Sequence, residues 1–229
     1  MVFVDAPHVI DVPTVGAGAF EKFDSTADSS ETDAELIPRA WWSSKEPEQT
    51  GLPHKVYEGL DETMTFLREV IDTQGPFDAC FGFSQGAALA AVLSSVLEYP
   101  NLHEAFSNLK DQTNGQKAFK AVVLVAGFKL DLPPEWYGVR PDSDSQTLQT
   151  RSLHILGRTD SIVGTDRSEP LVSAFMNPRV EWHDGSHFVP SKKSWRDFFC
   201  NYVQKLDQRD ESLIPSPGQT ESLSNVPKM

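Results

Sequence analysis

The sequence predicts an α/β fold, a mostly parallel sheet with helices on both faces. Three observations carry this reading. Near-continuous apolar runs recur at 76–83 (PFDACFGF), 118–128 (AFKAVVLVAGF) and 151–157 (RSLHILG), the pattern of strands buried on both faces. Helical patterns alternate with these runs, which is the order of a parallel sheet rather than of hairpins. A Gly-x-Ser-x-Gly string, GFSQG at 82–86, falls where an apolar strand meets an apolar helix.

Taken in chain order, MVFVDAP (1–7) reads as a short apolar strand ending in a turn. Residues 8–55 read as an irregular region rich in Asp, Glu, Ser, Gly and Pro. They include the acidic stretch FDSTADSSETDAE (23–35), which reads as a solvated loop. Val56, Leu60, Met64, Leu67 and Ile71 recur at helical spacing, and Gly75-Pro76 stops that helix. QGAALAAVLSSVLEY (85–99) is apolar almost all round, so this helix should lie deep in the protein. After the strands at 118–128 and 151–157, RVEWH (179–183) reads as a weaker one. From Ser191 onward, Trp195, Phe198, Phe199, Tyr202, Val203 and Leu206 trace the apolar face of a last helix. The expectation is one α/β-hydrolase-like domain over 1–206 and a disordered tail over 207–229.

Composition narrows the function. With 33 acidic against 20 basic side chains in 229 residues, the formal charge is −13. A phosphate-binding surface needs concentrated Lys and Arg, so a nucleic-acid partner is not expected. No apolar run reaches the roughly 18 residues of a membrane span, and residues 1–20 lack the basic and apolar regions of a signal peptide. Cys80 and Cys200 lie in a strand-like and a helix-like segment, which fits a reduced, cytoplasmic protein. No His/Cys/Asp cluster has metal-ligand spacing and no Gly-rich nucleotide loop is present, so neither metal nor cofactor is expected.

At a strand-to-helix elbow the backbone of the central serine is held in a tight, strained turn that lifts its hydroxyl above the sheet. Ser84 is therefore the candidate nucleophile. Gly82 and Gly86 give strand and helix room to approach. The backbone N–H of Gln85, at a helix N-terminus, points toward a developing oxyanion.

A serine hydroxyl needs a base, and histidine suits neutral pH. Of six histidines, His187 stands in the loop DGSHFVP (184–190), between the last strand and the last helix, where it can swing over the sheet edge. His183, at a strand end, is its competitor. Asp160, in LGRTDSIV just past the strand at 151–157, is the candidate to orient the imidazole, with Asp166 and Asp184 close enough to exchange roles. The chain order Ser84, Asp160, His187 is that of the α/β-hydrolases.

FVDAPH (3–8), RAWW (39–42), GPFDACFGFSQGAALA (75–90), the GRTDSIV turn (157–163) and GSHFVP (185–190) together resemble the FSH-type serine hydrolases, a family that includes fungal polyketide-pathway hydrolases. The resemblance runs from Val2 to about Leu206. It implies an α/β-hydrolase acting on carboxylic ester or thioester bonds, with Ser84, Asp160 and His187 at the matching positions. It also implies a further apolar strand and a His-Gly oxyanion loop ahead of FVDAP. No His-Gly pair occurs in this sequence, so the first strand of the usual fold is expected to be missing.

Trp41, Trp42, Phe128 and Phe188 lie in loops expected beside the nucleophile, and aromatic loops there suit an acyl or polyketide-like substrate of secondary metabolism. The expected partner is a small-molecule ester or thioester, including a carrier-bound acyl chain. Two functions follow: a serine esterase or thioesterase, or a catalytically impaired relative that binds a small molecule or partner in the old cleft.

Overall fold

A computed structural model describes residues 1–10, 37–108, 114–141, 146–208 and 213–217. The acidic stretch 23–35 lies outside the described residues. The chain forms two compact units, Met1–Gly75 and Pro76–Met229.

In the first unit, β1 (His8–Val9) pairs antiparallel with β2 (Arg39–Ala40), and β3 (Ser43–Lys45) pairs antiparallel with β4 (Val56–Glu58). A single helical turn, α1 (Pro47–Thr50), lies between β3 and β4. The helix α2 (Leu60–Gln74) follows, burying Leu60, Met64, Leu67, Val70 and Ile71. The sequence places Val56 at the start of this helix, but Val56 belongs to β4. The reason is Gly59, whose φ of +85° ends the strand and opens the helix one residue later. The expected strand at 1–7 is not formed either. Residues 1–6 take no regular structure, Met1 and Phe3 are exposed, and pairing begins only at His8. An apolar run becomes a strand only where a neighbour takes up its N–H and C=O groups.

The second unit is a four-stranded sheet in the order β5 (Ala79–Phe83), β6 (Ala121–Val125), β7 (Arg151–Gly157), β8 (Arg179–His183), parallel throughout. Among the described residues, nothing pairs with the outer edge of β5. The helix α3 (Gln85–Glu98) packs on β5 and β6, and every residue from Ala87 to Leu97 is buried. The helix α5 (Lys193–Gln204) sets Trp195, Phe198 and Tyr202 against Ala121, Val123, Val125, Leu153 and Ile155. Alternate strand residues point to opposite faces, so the equally buried Val122 and Leu124 serve the other side. Both faces are thus covered, which is why these strands read as unbroken apolar runs. A further helix, α4 (Thr165–Val172), has no strong sequence signal, since Pro170 interrupts its pattern.

From residue 207 the sequence reads as a tail without structure, yet residues 213–217 are placed. Ile214 is buried within the α5-side core. Its carbonyl accepts from Arg179 Nη2 at 2.8 Å, and Ser216 Oγ donates to Glu181 Oε1 at 2.7 Å. Polar composition hides a single apolar anchor of this kind. Among the described residues no helix is long and apolar enough to cross a membrane.

Candidate active site

Ser84 joins β5 to α3 with φ 53° and ψ −118°, a conformation that a side-chain-bearing residue adopts only under constraint. The constraint is visible on both sides. Its N–H donates to the carbonyl of Val125 at 2.9 Å, extending the β5–β6 ladder by one bond. Its own carbonyl accepts from Ala87 and Ala88, opening the helix. The elbow also requires a close approach at Gly82, where a Cβ would sit 2.2 Å from the carbonyl oxygen of Gly86. Gln85, the first residue of α3, therefore has its N–H at the helix N-terminus.

The acid comes from the end of β7. Asp160 Oδ1 accepts the N–H groups of Ile162 (2.9 Å) and Val163 (2.8 Å), which folds the turn around the carboxylate and leaves Oδ2 for a second partner. His187 comes from the loop after β8. Its Nδ1–H donates to Asp160 Oδ2 at 2.8 Å, and its Nε2 lies 2.9 Å from Ser84 Oγ. A carboxylate only accepts, so the imidazole proton sits on Nδ1, and Nε2 is left to accept the seryl proton. The spacing follows from the sheet. β5 and β7 lie two strands apart, about 10 Å, and an imidazole with a hydrogen bond at each end spans most of that gap. The side chains of His187 and Asp160 are only 5% and 3% exposed, so solvent screens their contact little. Phe83 packs against the imidazole at 4.9 Å between ring centroids.

The competing residues lie elsewhere. Asp184 is fully exposed and pairs with Arg158 at 3.2 Å, and Asp166 lies in the first turn of α4. His183 is buried beside the site, its ring 4.9 Å from that of Phe188. Among the proposed substrate contacts, Phe188 is half exposed next to His187, and Phe128 lies just beyond β6 with the Arg167 guanidinium 4.4 Å above its ring. Trp41 and Trp42 belong to the first unit. Trp42 is 2% exposed and packs edge-on against Tyr57, so its indole has no face open to a substrate. Trp41 lends its carbonyl to the Thr63 hydroxyl. Cys80, on β5 itself, is no rival nucleophile, because burial pushes its thiol up to about 12. Among the described residues no group of three or more His, Cys, Asp or Glu side chains is arranged to hold a metal ion.

Sequence reasoning missed the supporting shell. The two N–H donors to Asp160 are implied by its position in a tight turn, since an aspartate there commonly bonds the backbone two and three residues on. Phe83 over the imidazole has no sequence signal, because it depends on where the loop after β8 returns.

Known proteins resemble this chain in sequence and in fold. The family model described as Serine hydrolase (FSH1) matches residues 1–199. The chain is 30% identical over 210 residues to "Esterase OVCA2" of Xenopus tropicalis, covering 90% of this chain and 79% of that protein. It is 28% identical over 210 residues to "Family of serine hydrolases 3" of Saccharomyces cerevisiae, covering 90% and 71%. Among solved structures, that of a single-residue variant of SOBER1 from Arabidopsis thaliana superposes with a TM-score of 0.53 at 17% identity, over 90% of this chain and 83% of that one. That similarity concerns the α/β-hydrolase fold alone.

Proposed function

The chain belongs to the serine hydrolase (FSH1) family, and from that premise we propose that it cleaves carboxylic ester or thioester bonds of a small acyl substrate through Ser84, His187 and Asp160. One observation supports this above all: an unbroken relay from Ser84 Oγ to His187 Nε2 (2.9 Å) and from Nδ1 to Asp160 Oδ2 (2.8 Å).

Each residue then has one task. His187 Nε2 takes the seryl proton as Oγ attacks the acyl carbon, and Asp160 stabilises the imidazolium that forms. The carbonyl oxygen becomes an oxyanion facing the Gln85 N–H, where the α3 dipole favours negative charge. Collapse breaks the bond to the alcohol or thiol, which leaves with the proton held on Nε2. A water molecule then repeats the sequence against the acyl-serine and releases the acid. The half-exposed Phe188 and the Phe128 ring favour an apolar or aromatic acyl group.

The test is covalent labelling with a fluorophosphonate probe, followed by turnover of nitrophenyl esters and acyl-thioesters. Ser84 is expected to be labelled in the wild type and not in Ser84→Ala or His187→Ala. Asp160→Asn is expected to retain labelling at a rate on the order of 10⁴-fold lower, since the asparagine favours the wrong imidazole tautomer. A folded wild type that neither labels nor turns over any ester, yet binds an acyl compound as tightly as Ser84→Ala does, would overturn the assignment in favour of a binding protein.

A further inference from the structure

We propose that His183 is a positioning residue for this hydrolysis: its ring holds the loop that carries His187 against the turn that carries Asp160. The inference rests on the reading of the site given above, but the observations behind it are separate.

His183 ends β8 in register with Gly157 of β7. Past that point the two chains continue to bond. Arg158 N–H donates to the His183 carbonyl at 2.9 Å, and Thr159 N–H donates to the Gly185 carbonyl at 3.2 Å. The acid turn and the base loop therefore leave the sheet together, and the His183 ring lies at their junction. Its Nδ1 accepts the N–H of Gly185 at 3.2 Å, two residues before His187. With Nδ1 accepting, the ring proton is on Nε2, a buried atom with no hydrogen-bond partner among the described residues. The ring fits close under the acid strand, since a Cβ on Gly157 would lie 3.2 Å from Nε2, 2.5 Å from the Ser186 carbonyl and 2.7 Å from that of Gly185. Phe188 and Trp195 complete its surroundings at 4.9 and 6.0 Å.

A residue chosen for packing alone would not be a histidine. Phenylalanine has nearly the same shape and brings no ring N–H into the interior. What the imidazole adds is the acceptor at Nδ1, and the group it serves is the backbone of the His187 loop. The ring is suited to the task because it stays neutral. Asp160 and Asp184 both favour its protonation, but burial outweighs them and lowers its pKa below the usual 6.5. The Nδ1 lone pair is therefore available to Gly185 at neutral pH. Loss of that bond would free the loop by a fraction of an ångström at His187, and misplacement of about 1 Å in a catalytic relay costs about 10²-fold.

The test uses three variants of the full chain. H183F keeps the shape and removes the acceptor, H183N puts an amide oxygen where Nδ1 was, and H183Q puts its amide at the Nε2 position. The measurements are the fraction of molecules labelled by fluorophosphonate, the labelling rate, kcat and KM on a soluble nitrophenyl ester, and the proton resonance of His187 Nδ1–H. H183F and H183Q are expected to label to the wild-type fraction but about 10- to 100-fold more slowly. Their kcat should fall by the same factor with KM within about twofold, and the Nδ1–H resonance should broaden or vanish. H183N should recover to within about threefold. If H183F does not fold, the contrast between H183N and H183Q decides, and equal rates for those two overturn the proposal. A reduced labelled fraction with an unchanged rate per labelled site also overturns it, since that is the mark of a purely structural residue. A wild type that is not labelled would overturn the hydrolase reading instead. The resonance of His187 in H183F and H183N would then still report whether the ring holds the loop.

Discussion

Each of the two units has its own internal means of cohesion. In Pro76–Met229 the strands β5 to β8 run parallel and are buried on both faces, so their order rests on apolar area and on an uninterrupted ladder. That ladder continues past the strand ends, through Ser84 to Val125, Ala126 to Ile155 and Arg158 to His183. In Met1–Gly75 the strands are two or three residues long, and side-chain hydrogen bonds add to the buried apolar face of α2. There His8 Nε2–H donates to the Gly59 carbonyl at 2.8 Å and to Thr63 Oγ1 at 3.1 Å, and the Thr63 hydroxyl donates to the Trp41 carbonyl. The contacts that join Ser84, His187 and Asp160 are found where the backbone itself is cross-linked. In the first unit single turn conformations bear more of the structure.

A glycine in each unit gives the sharpest contrast. Gly82 has ordinary backbone angles and is needed for space: a methyl group there meets the backbone of Gly86 and Ala87 at 2.2–2.6 Å, and neither can move without shifting α3. Gly82→Ala is expected to lower unfolding stability by about 3–5 kcal/mol, measured by urea titration, and to abolish probe labelling of whatever remains folded. A loss below about 1 kcal/mol would mean that strand and helix are less tightly joined at the elbow than the ladder implies.

The docked tail tests whether the second unit's core ends with α5. Ile214 is 2% exposed among Ala121, Val123, Tyr202 and their neighbours. Ile214→Ala should cost about 2–4 kcal/mol in the same titration, whereas a surface isoleucine would cost almost nothing.

The parts of the fold legible in the sequence are those with redundant signals. β7 and β8 agree with their predicted bounds, and α3 and α5 agree closely, because each repeats its pattern over several residues. Glycines and a turn aspartate mark in the sequence the strand ends at which Ser84, Asp160 and His187 stand. What is not legible depends on single residues or on distant partners. One positive φ at Gly59 divides β4 from α2, one isoleucine anchors the tail, and Pro170 masks α4. The role of His183 depends on an acceptor atom facing a backbone N–H, which no spacing encodes.

His154 is a buried histidine of the second unit that lies away from Ser84 in the hydrogen-bond network. It is 1% exposed within β7, with Ser152 Oγ at 3.0 Å as its partner, and burial pushes its pKa down to about 3. Its unfolded value is near 6.5, so below that pH the unfolded chain binds a proton that the folded chain does not. Stability from this residue is fully present above about pH 6.5 and is lost as the pH falls from there toward 3. By pH 5 the loss should be about 2 kcal/mol. Urea titrations at pH 7.5 and 5.0 measure it, and His154→Asn should flatten the slope between them whatever it does to the absolute stability. An unchanged slope would place the proton on His154 in the folded state.

The smallest expected effect lies in the first unit, at Gly59. Its φ of +85° is one that a side-chain-bearing residue adopts at a cost of about 1–2 kcal/mol. A Cβ there would also meet the His8 ring at 2.6 Å. Unlike the backbone that faces Gly82, that ring is the end of a side chain and can swing aside, so the steric part of the penalty is largely relieved. The relief has its own consequence, because the displaced ring gives up its bonds to the Gly59 carbonyl and to Thr63. Gly59→Ala is therefore expected to lower stability by about 1–2 kcal/mol and to speed amide exchange selectively in the first turn of α2. Uniform protection across α2 would show that the helix is held by its buried face alone, and the contrast between the two units would then reduce to strand length.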